Sequence, residues 1–162
     1  MIIGTSRVMM DFVDPCFIFV HSREAPTADD WMVIREYYAS RGDKMKDARF
    51  LAITDGGGPS GAQRRDMREM FGQYAPATRT AIVSDAVIVR FIAAALAMFA
   101  GNLAYFESRD WERALPFLGI ANSMGDEVKA HLHQLRAKNT GNFTTLARVC
   151  DHLAAEKEKK GS

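Results

Sequence analysis

Apolar positions along this chain change their period several times, and each change marks an element. "RVMMDFVDPCFIFVHS" holds two apolar runs separated by Asp14-Pro15. Proline cannot sit inside a central strand, so the pair reads as a hairpin or as a strand after a bend. "CFIFVH" is rich in aromatic and β-branched residues and is the firmer strand. "APTADDWMVIREYYAS" then shifts to helical spacing. Thr27 is placed to cap it, Asp29 and Asp30 lie in its first turn, and Trp31, Ile34 and Tyr38 share a face. "ARFLAIT" is a short continuous apolar run, as a strand covered on both faces requires. A helix starts at Pro59 or Ser60, with Met67, Met70, Phe71 and Tyr74 in one stripe. "RTAIVS" is another buried strand, after which Ser84-Asp85 caps an apolar helix through Met98. "LAYF" is a brief last strand, and "SRDWERALPFLG" a helix capped by Ser108 with Trp111, Leu115 and Leu118 inward.

Strands alternating with helices predict the α/β class, with a mixed, mostly parallel sheet flanked by helices and an antiparallel element at its start. Residues 1–120 read as one domain. Residues 121–162 read as a C-terminal helical hairpin, with "NTGN" as its turn and Phe143, Leu146, Cys150 and Leu153 as a narrow apolar seam on the second helix. That seam fits docking on its own domain or pairing with a second chain as a homodimer.

Composition narrows the function more than the fold. The chain has 162 residues, 48% apolar and 25% charged, in the range of a globular domain with a real core. A formal net charge of +1 provides no basic field of the kind nucleic-acid binding uses. Cys16 and Cys150 lie far apart without metal-ligand spacing, so reduced buried thiols in a cytoplasmic protein are expected. No signal-peptide core precedes Asp11. The longest apolar run, Ala86 to Ala100, is interrupted by Arg90 and falls short of the roughly 20 residues of a membrane span. It reads instead as a buried or half-buried helix.

Candidate chemistry concentrates in "TDGGGPSGAQRRD", Thr54 to Asp66. A glycine-rich loop that opens a helix can hold an anion on free backbone N–H groups. The loop Gly56, Gly57, Gly58 lacks the Gly-Lys-Ser/Thr ending of a Walker A loop, and G-x-G-x-x-G is not matched in context. A regulatory or partner-contacting loop and a plain turn with Ser60 as N-cap remain open. Arg64, Arg65 and Arg68 interleave with Asp66 and Glu69, as a solvated helix face, as a docking surface for an acidic partner, or as arginines that hold a phosphate beside the glycine loop. His21, Ser22, Asp55, Ser84 and Asp85 all fall at strand carboxyl ends and can converge on one sheet edge. No G-x-S-x-G elbow accompanies them, and serine or aspartate at a helix start is the usual cap, so no catalytic triad is expected. His131 and His133 are two apart and point to different helix faces, so no metal is implied, nor any cofactor. Arg90 needs a counter-ion, with Asp85 one turn back as the nearest, or else contacts an anion at the sheet edge.

In their order, "FLAITD", "PSGAQRRDMREMF", "AIVSDAVIVRFIAAAL" and "SRDWERALPFLG" resemble the STAS domain, the fold of bacterial anti-sigma-factor antagonists. The similarity covers roughly Val8 to Ile120 and is greatest to the SpoIIAA-like branch, which is related to the lipid-binding Sec14 fold. The resemblance implies a non-enzymatic regulatory module. Asp55 matches the family's strand-end aspartate, and Ser60-Gly61 the serine-glycine step where a partner kinase phosphorylates. Gly58-Pro59 stands in place of the family's Asp-Ser. The implied partner is a histidine-kinase-like anti-sigma factor or another signalling protein, met by the Gly56–Ser60 loop and the helix after it. The Sec14 kinship implies a small-ligand or lipid carrier as the alternative, and the C-terminal hairpin a structural oligomer.

Overall fold

The computed structural model describes residues 2–71, 78–97 and 102–160. The expected α/β class is met in its coarse form. Six strands, β1 (Ile3–Gly4), β2 (Val8–Val13), β3 (Cys16–His21), β4 (Arg49–Thr54), β5 (Thr80–Val83) and β6 (Leu103–Phe106), lie side by side in that order. β1, β2 and β3 pair antiparallel, and β3 through β6 pair parallel. Asp14-Pro15 makes the β2–β3 turn through a cis peptide bond, so the hairpin alternative is the one realised. β1 has no counterpart in the apolar pattern because it is only two residues long.

The helices divide between the two sheet faces. α1 (Ala28–Arg41) packs Trp31, Ile34, Tyr37 and Tyr38 with Val8, Met10 and Phe17 on the front face. Its start is a capping box: Thr27 accepts from the Asp30 N–H, and the Asp30 carboxylate accepts from the Thr27 N–H at 2.8 Å. α2 (Gly61–Phe71) follows β4, and its tie to α1 runs through side chains. The Trp31 indole N–H donates to Asp66 at 2.6 Å, and the Tyr38 hydroxyl to the Met70 carbonyl at 3.4 Å. Of the stripe expected on α2, Met70 packs partly against the front cluster, while the side chains of Met67 and Phe71, and Tyr74 altogether, lie outside the described residues.

On the back face, a 3-10 turn (Ser108–Arg113), α4 (Ala114–Leu118), α5 (Asn122–Ala137) and α6 (Thr144–Lys160) cover the sheet. Ser108 sits inside the 3-10 turn rather than capping it. Its N–H instead donates to Asp85. Trp111, Leu118, Val128, Leu132, Leu135, Leu146, Val149 and Cys150 share one buried cluster with Ile18, Leu51 and Ile53 of the strands. The last two helices therefore complete the core of the sheet, each fully buried leucine contributing about 2 kcal/mol. The seam of Phe143, Leu146, Cys150 and Leu153 is used up in this contact. Cys16 and Cys150 are free and buried, and burial pushes their thiols up to about 12 and about 11. No helix among the described residues is long and apolar enough to cross a membrane.

α3 (Val87–Ala97) departs from expectation. It lies against β6, the last strand of the sheet, and among its described side chains only Ala93 is buried, at 1% exposure. An apolar helix reads as buried when its neighbours are unknown. Here the sheet ends beneath it, and Val87, Ile88, Phe91 and Ile92 face outward.

Candidate functional site

The parallel strands bring Thr54, Asp55 and Ser84 to one sheet edge beside the end of β3 at His21. The glycine loop that follows β4 is fixed to this edge. Its Asp55 N–H donates to the His21 carbonyl and its Gly57 N–H to the Ser22 carbonyl, at 3.1 and 3.0 Å. The Thr54 hydroxyl accepts from the Gly56 N–H and donates to the Gly57 carbonyl. Gly56 adopts φ +114°, which disfavours a side chain. A Cβ on Gly57 would fall 2.3 Å from the Ser22 carbonyl oxygen and 2.5 Å from that of Glu24, whereas Gly58 opens on free space. Gly56 is thus required by its backbone conformation and Gly57 by close backbone approach, and Gly58 by neither.

Ser60 stands exposed at the N-cap of α2. Its hydroxyl accepts from the Gln63 N–H at 3.2 Å, and its own N–H donates to the Gln63 side-chain oxygen at 2.8 Å. Gln63 also donates to the carbonyls of Pro26 and Thr27, joining the start of α2 to the start of α1. Arg64 folds back to donate to the Pro59 carbonyl at 2.8 Å. Arg64 and Arg65 are exposed, and the side chain of Arg68 lies outside the described residues. Trp31, Arg35, Arg65 and Asp66 line a cleft of about 340 Å³ between α1 and α2, in which Arg35 pairs with Asp66 at 3.2 Å.

The other edge residues have been drawn into structural roles. Asp55 accepts from the N–H groups of Thr144 and Thr145 at 2.7 and 2.6 Å, so it caps α6. Thr145 also donates its hydroxyl to the Thr54 carbonyl. Ser84 is buried, donating to the Thr54 carbonyl at 2.6 Å and accepting from the Ala86 N–H. Asp85 does not cap α3. It binds the Ser108 N–H at 3.0 Å and Arg148 at 2.8 Å. Burial pushes the Asp85 carboxyl up, but these two partners outweigh it and its pKa lies below the usual value. Arg90 accordingly finds Glu107, at 3.8 Å, and not Asp85. That Arg90 is exposed follows from the outward face of α3.

His21 is buried against the ring edge of Phe19, and its Nδ1 has no hydrogen-bond partner. Burial lowers its pKa to about 4, so the ring is neutral. The Ser22 hydroxyl bonds to the backbone of Glu24. His21 and the Ser22 and Ser84 hydroxyls share an edge without bonding to one another, so no serine–histidine pair forms there. No group of three potential metal ligands occurs among the described residues.

Three features escaped the sequence reading. A cleft of about 580 Å³ lies at the carboxyl edge between the starts of α3 and α6, lined by Arg23, Asp55, Asp85, Val87, Ile88 and Arg148 among others. Its α6 wall is separated from its α3 wall by more than fifty residues of chain, so no local motif announces it. The second is the outward face of α3. The third is Asp11, fully buried in β2 and bonded to His131 of α5. A lone aspartate inside the apolar "VMMDFV" was the available signal that a cationic or hydrogen-bonding partner must reach it. No family model, curated protein or solved structure matches this chain.

Proposed function

We propose that this chain is a regulatory protein-docking module of the STAS type, in its SpoIIAA-like branch, that meets its partner through the Gly56–Ser60 loop and the exposed face of α2. One observation carries the reading. Ser60 is exposed at a helix N-cap beside Arg64, on a loop whose base is held rigidly to the end of β3. Such a serine is accessible to a kinase, and a phosphate there meets the N-terminal N–H groups and a guanidinium. Its added charge changes the docking face without requiring a change of fold.

The element order supports the same assignment, an antiparallel hairpin leading into parallel strands with Asp55 at a strand end. A protein partner is favoured over an apolar cargo because the two clefts flanking the loop and α2 are lined largely by charged and polar groups. The seam on α6 is buried within the chain, so it does not serve this surface.

Affinity capture from cells that make the protein, compared between wild type and Ser60→Asp, tests the reading. The expected result is a protein partner retained by wild type and reduced about tenfold by Ser60→Asp. Equal recovery by both forms, or recovery of a bound lipid with no protein, contradicts it.

A further inference from the structure

The docking loop is short between its fixed points. The Gly57 N–H is tied to the Ser22 carbonyl at 3.0 Å, and Ser60 is tied into the first turn of α2 through Gln63. Only Gly58 and Pro59 lie between them. The direction in which Ser60 is presented is therefore set by Thr54 to Gly57, where the chain leaves β4.

That segment is held from within and from outside. Within it, the Thr54 hydroxyl accepts from the Gly56 N–H at 3.1 Å and donates to the Gly57 carbonyl at 3.0 Å. From outside, the buried Thr145 hydroxyl of α6 donates to the Thr54 carbonyl at 3.1 Å, across ninety-one positions of chain. The N–H groups of Thr144 and Thr145 hold the Asp55 carboxylate beside it. The need is mutual. Phe143, the residue before α6, packs its side chain in the core and carries no acceptor for the first N–H groups of the helix. Asp55 thus caps a helix that its own sequence leaves uncapped. Where each side completes the other, the two are coupled in both directions.

Resting on the docking reading above, we propose that Thr145 is a positioning residue for the docking loop, and that the C-terminal helical pair regulates partner binding through it. At 3% exposure Thr145 acts without touching the partner. It holds the Thr54 carbonyl and, through its N–H, the Asp55 carboxylate, and so fixes the path on which Gly56 takes its positive φ and Ser60 reaches the surface. A loop ordered before the partner arrives loses less freedom on binding, which raises affinity. Whatever loosens the start of α6 weakens docking at Ser60 and Arg65, and an occupied loop steadies the start of α6 in return.

Thr145→Val tests this in the full chain. It keeps the shape of the side chain and its N–H and removes only the hydroxyl. The Thr54 carbonyl still accepts from Ser84 at 2.6 Å, so no buried acceptor is orphaned and folding is spared. Thr145→Ser keeps the hydroxyl, and Val149→Ala, a fully buried position on the same helix, is the control for lost stability alone. Two quantities are read: amide exchange at Asp55, Gly56 and Gly57, and the yield, per molecule of chain, of the protein crosslinked in cells from a photoreactive residue at Arg65. Thr145→Val should speed loop exchange and lower the crosslink yield, each about fivefold. Thr145→Ser should restore both, and Val149→Ala should leave both near wild type. Unchanged loop exchange in Thr145→Val, or changes that Val149→Ala matches, would overturn the positioning role and leave the docking reading standing. Faster loop exchange at an undiminished crosslink yield would overturn the regulation of binding. No crosslinked protein from the otherwise unchanged chain would overturn the docking reading itself, and this inference with it.

Discussion

His21→Leu isolates the most heavily perturbed histidine at the sheet edge. His21 is 6% exposed, its ring centroid lies 4.2 Å from that of Phe19, and its Nδ1 has no partner. Burial lowers its pKa from 6.5 to about 4. Above pH 6.5 the ring is neutral in folded and unfolded chains alike and contributes no pH dependence. As pH falls through 6.5 the unfolded chain takes up a proton at this position, while the folded chain does not until about pH 4. The unfolded state then binds more protons, so stability falls with pH across this window and levels off below it. At about 1.4 kcal/mol per pH unit, the window is worth about 3 kcal/mol. Urea unfolding of wild type and His21→Leu at a series of pH values measures it. The difference between the two curves removes the contributions of the other three histidines and the carboxylates. It should change by about 3 kcal/mol between pH 6.5 and 4. A flat difference, or an imidazole resonance of His21 that titrates near 6.5, would contradict a buried, unpartnered His21 ring.

Asp55→Ala removes the cap of α6 and leaves two N–H groups unpaired, so stability should fall by about 2 kcal/mol and amide exchange at Thr144 and Thr145 should accelerate; unchanged exchange would show that the cap is dispensable. Gly57→Ala drives a Cβ into two backbone carbonyls and should cost about 1–3 kcal/mol in chemical denaturation, whereas Gly58→Ala should stay within about 0.5 kcal/mol; equal effects would contradict the loop geometry. Asp66→Ala frees the Trp31 indole and Arg35, and should loosen α2 from α1 by about 1 kcal/mol with a red shift in tryptophan emission; an unshifted spectrum would argue against that tether.

The alternating elements were legible because their signals are local. Thr27 with Asp30 announces the start of α1, Asp14-Pro15 the hairpin, and each short apolar run a strand. The partners of Asp55, Asp85 and Arg90 were not legible, because they depend on which distant segment arrives at the edge. Asp55 meets Thr144 across eighty-nine positions and Asp85 meets Arg148 across sixty-three. The exposure of α3 is not legible in the sequence for a related reason. An apolar stripe records what can be covered, and only the position of β6 at the end of the sheet decides that nothing in the described part of the chain covers it. The seam on α6 carried the opposite ambiguity, resolved by its packing on the chain's own strands.

The proposed docking surface is formed by the Gly56–Ser60 loop and α2. Site-specific photo-crosslinking tests it most directly. A photoreactive residue is placed in turn at Ser60, at Arg65 and, as a control, at the exposed Glu127 of α5, in cells that make the protein. One crosslinked protein common to Ser60 and Arg65 and absent at Glu127 is expected. Crosslinks to that protein from Glu127 alone, or none from Ser60 and Arg65, would contradict it.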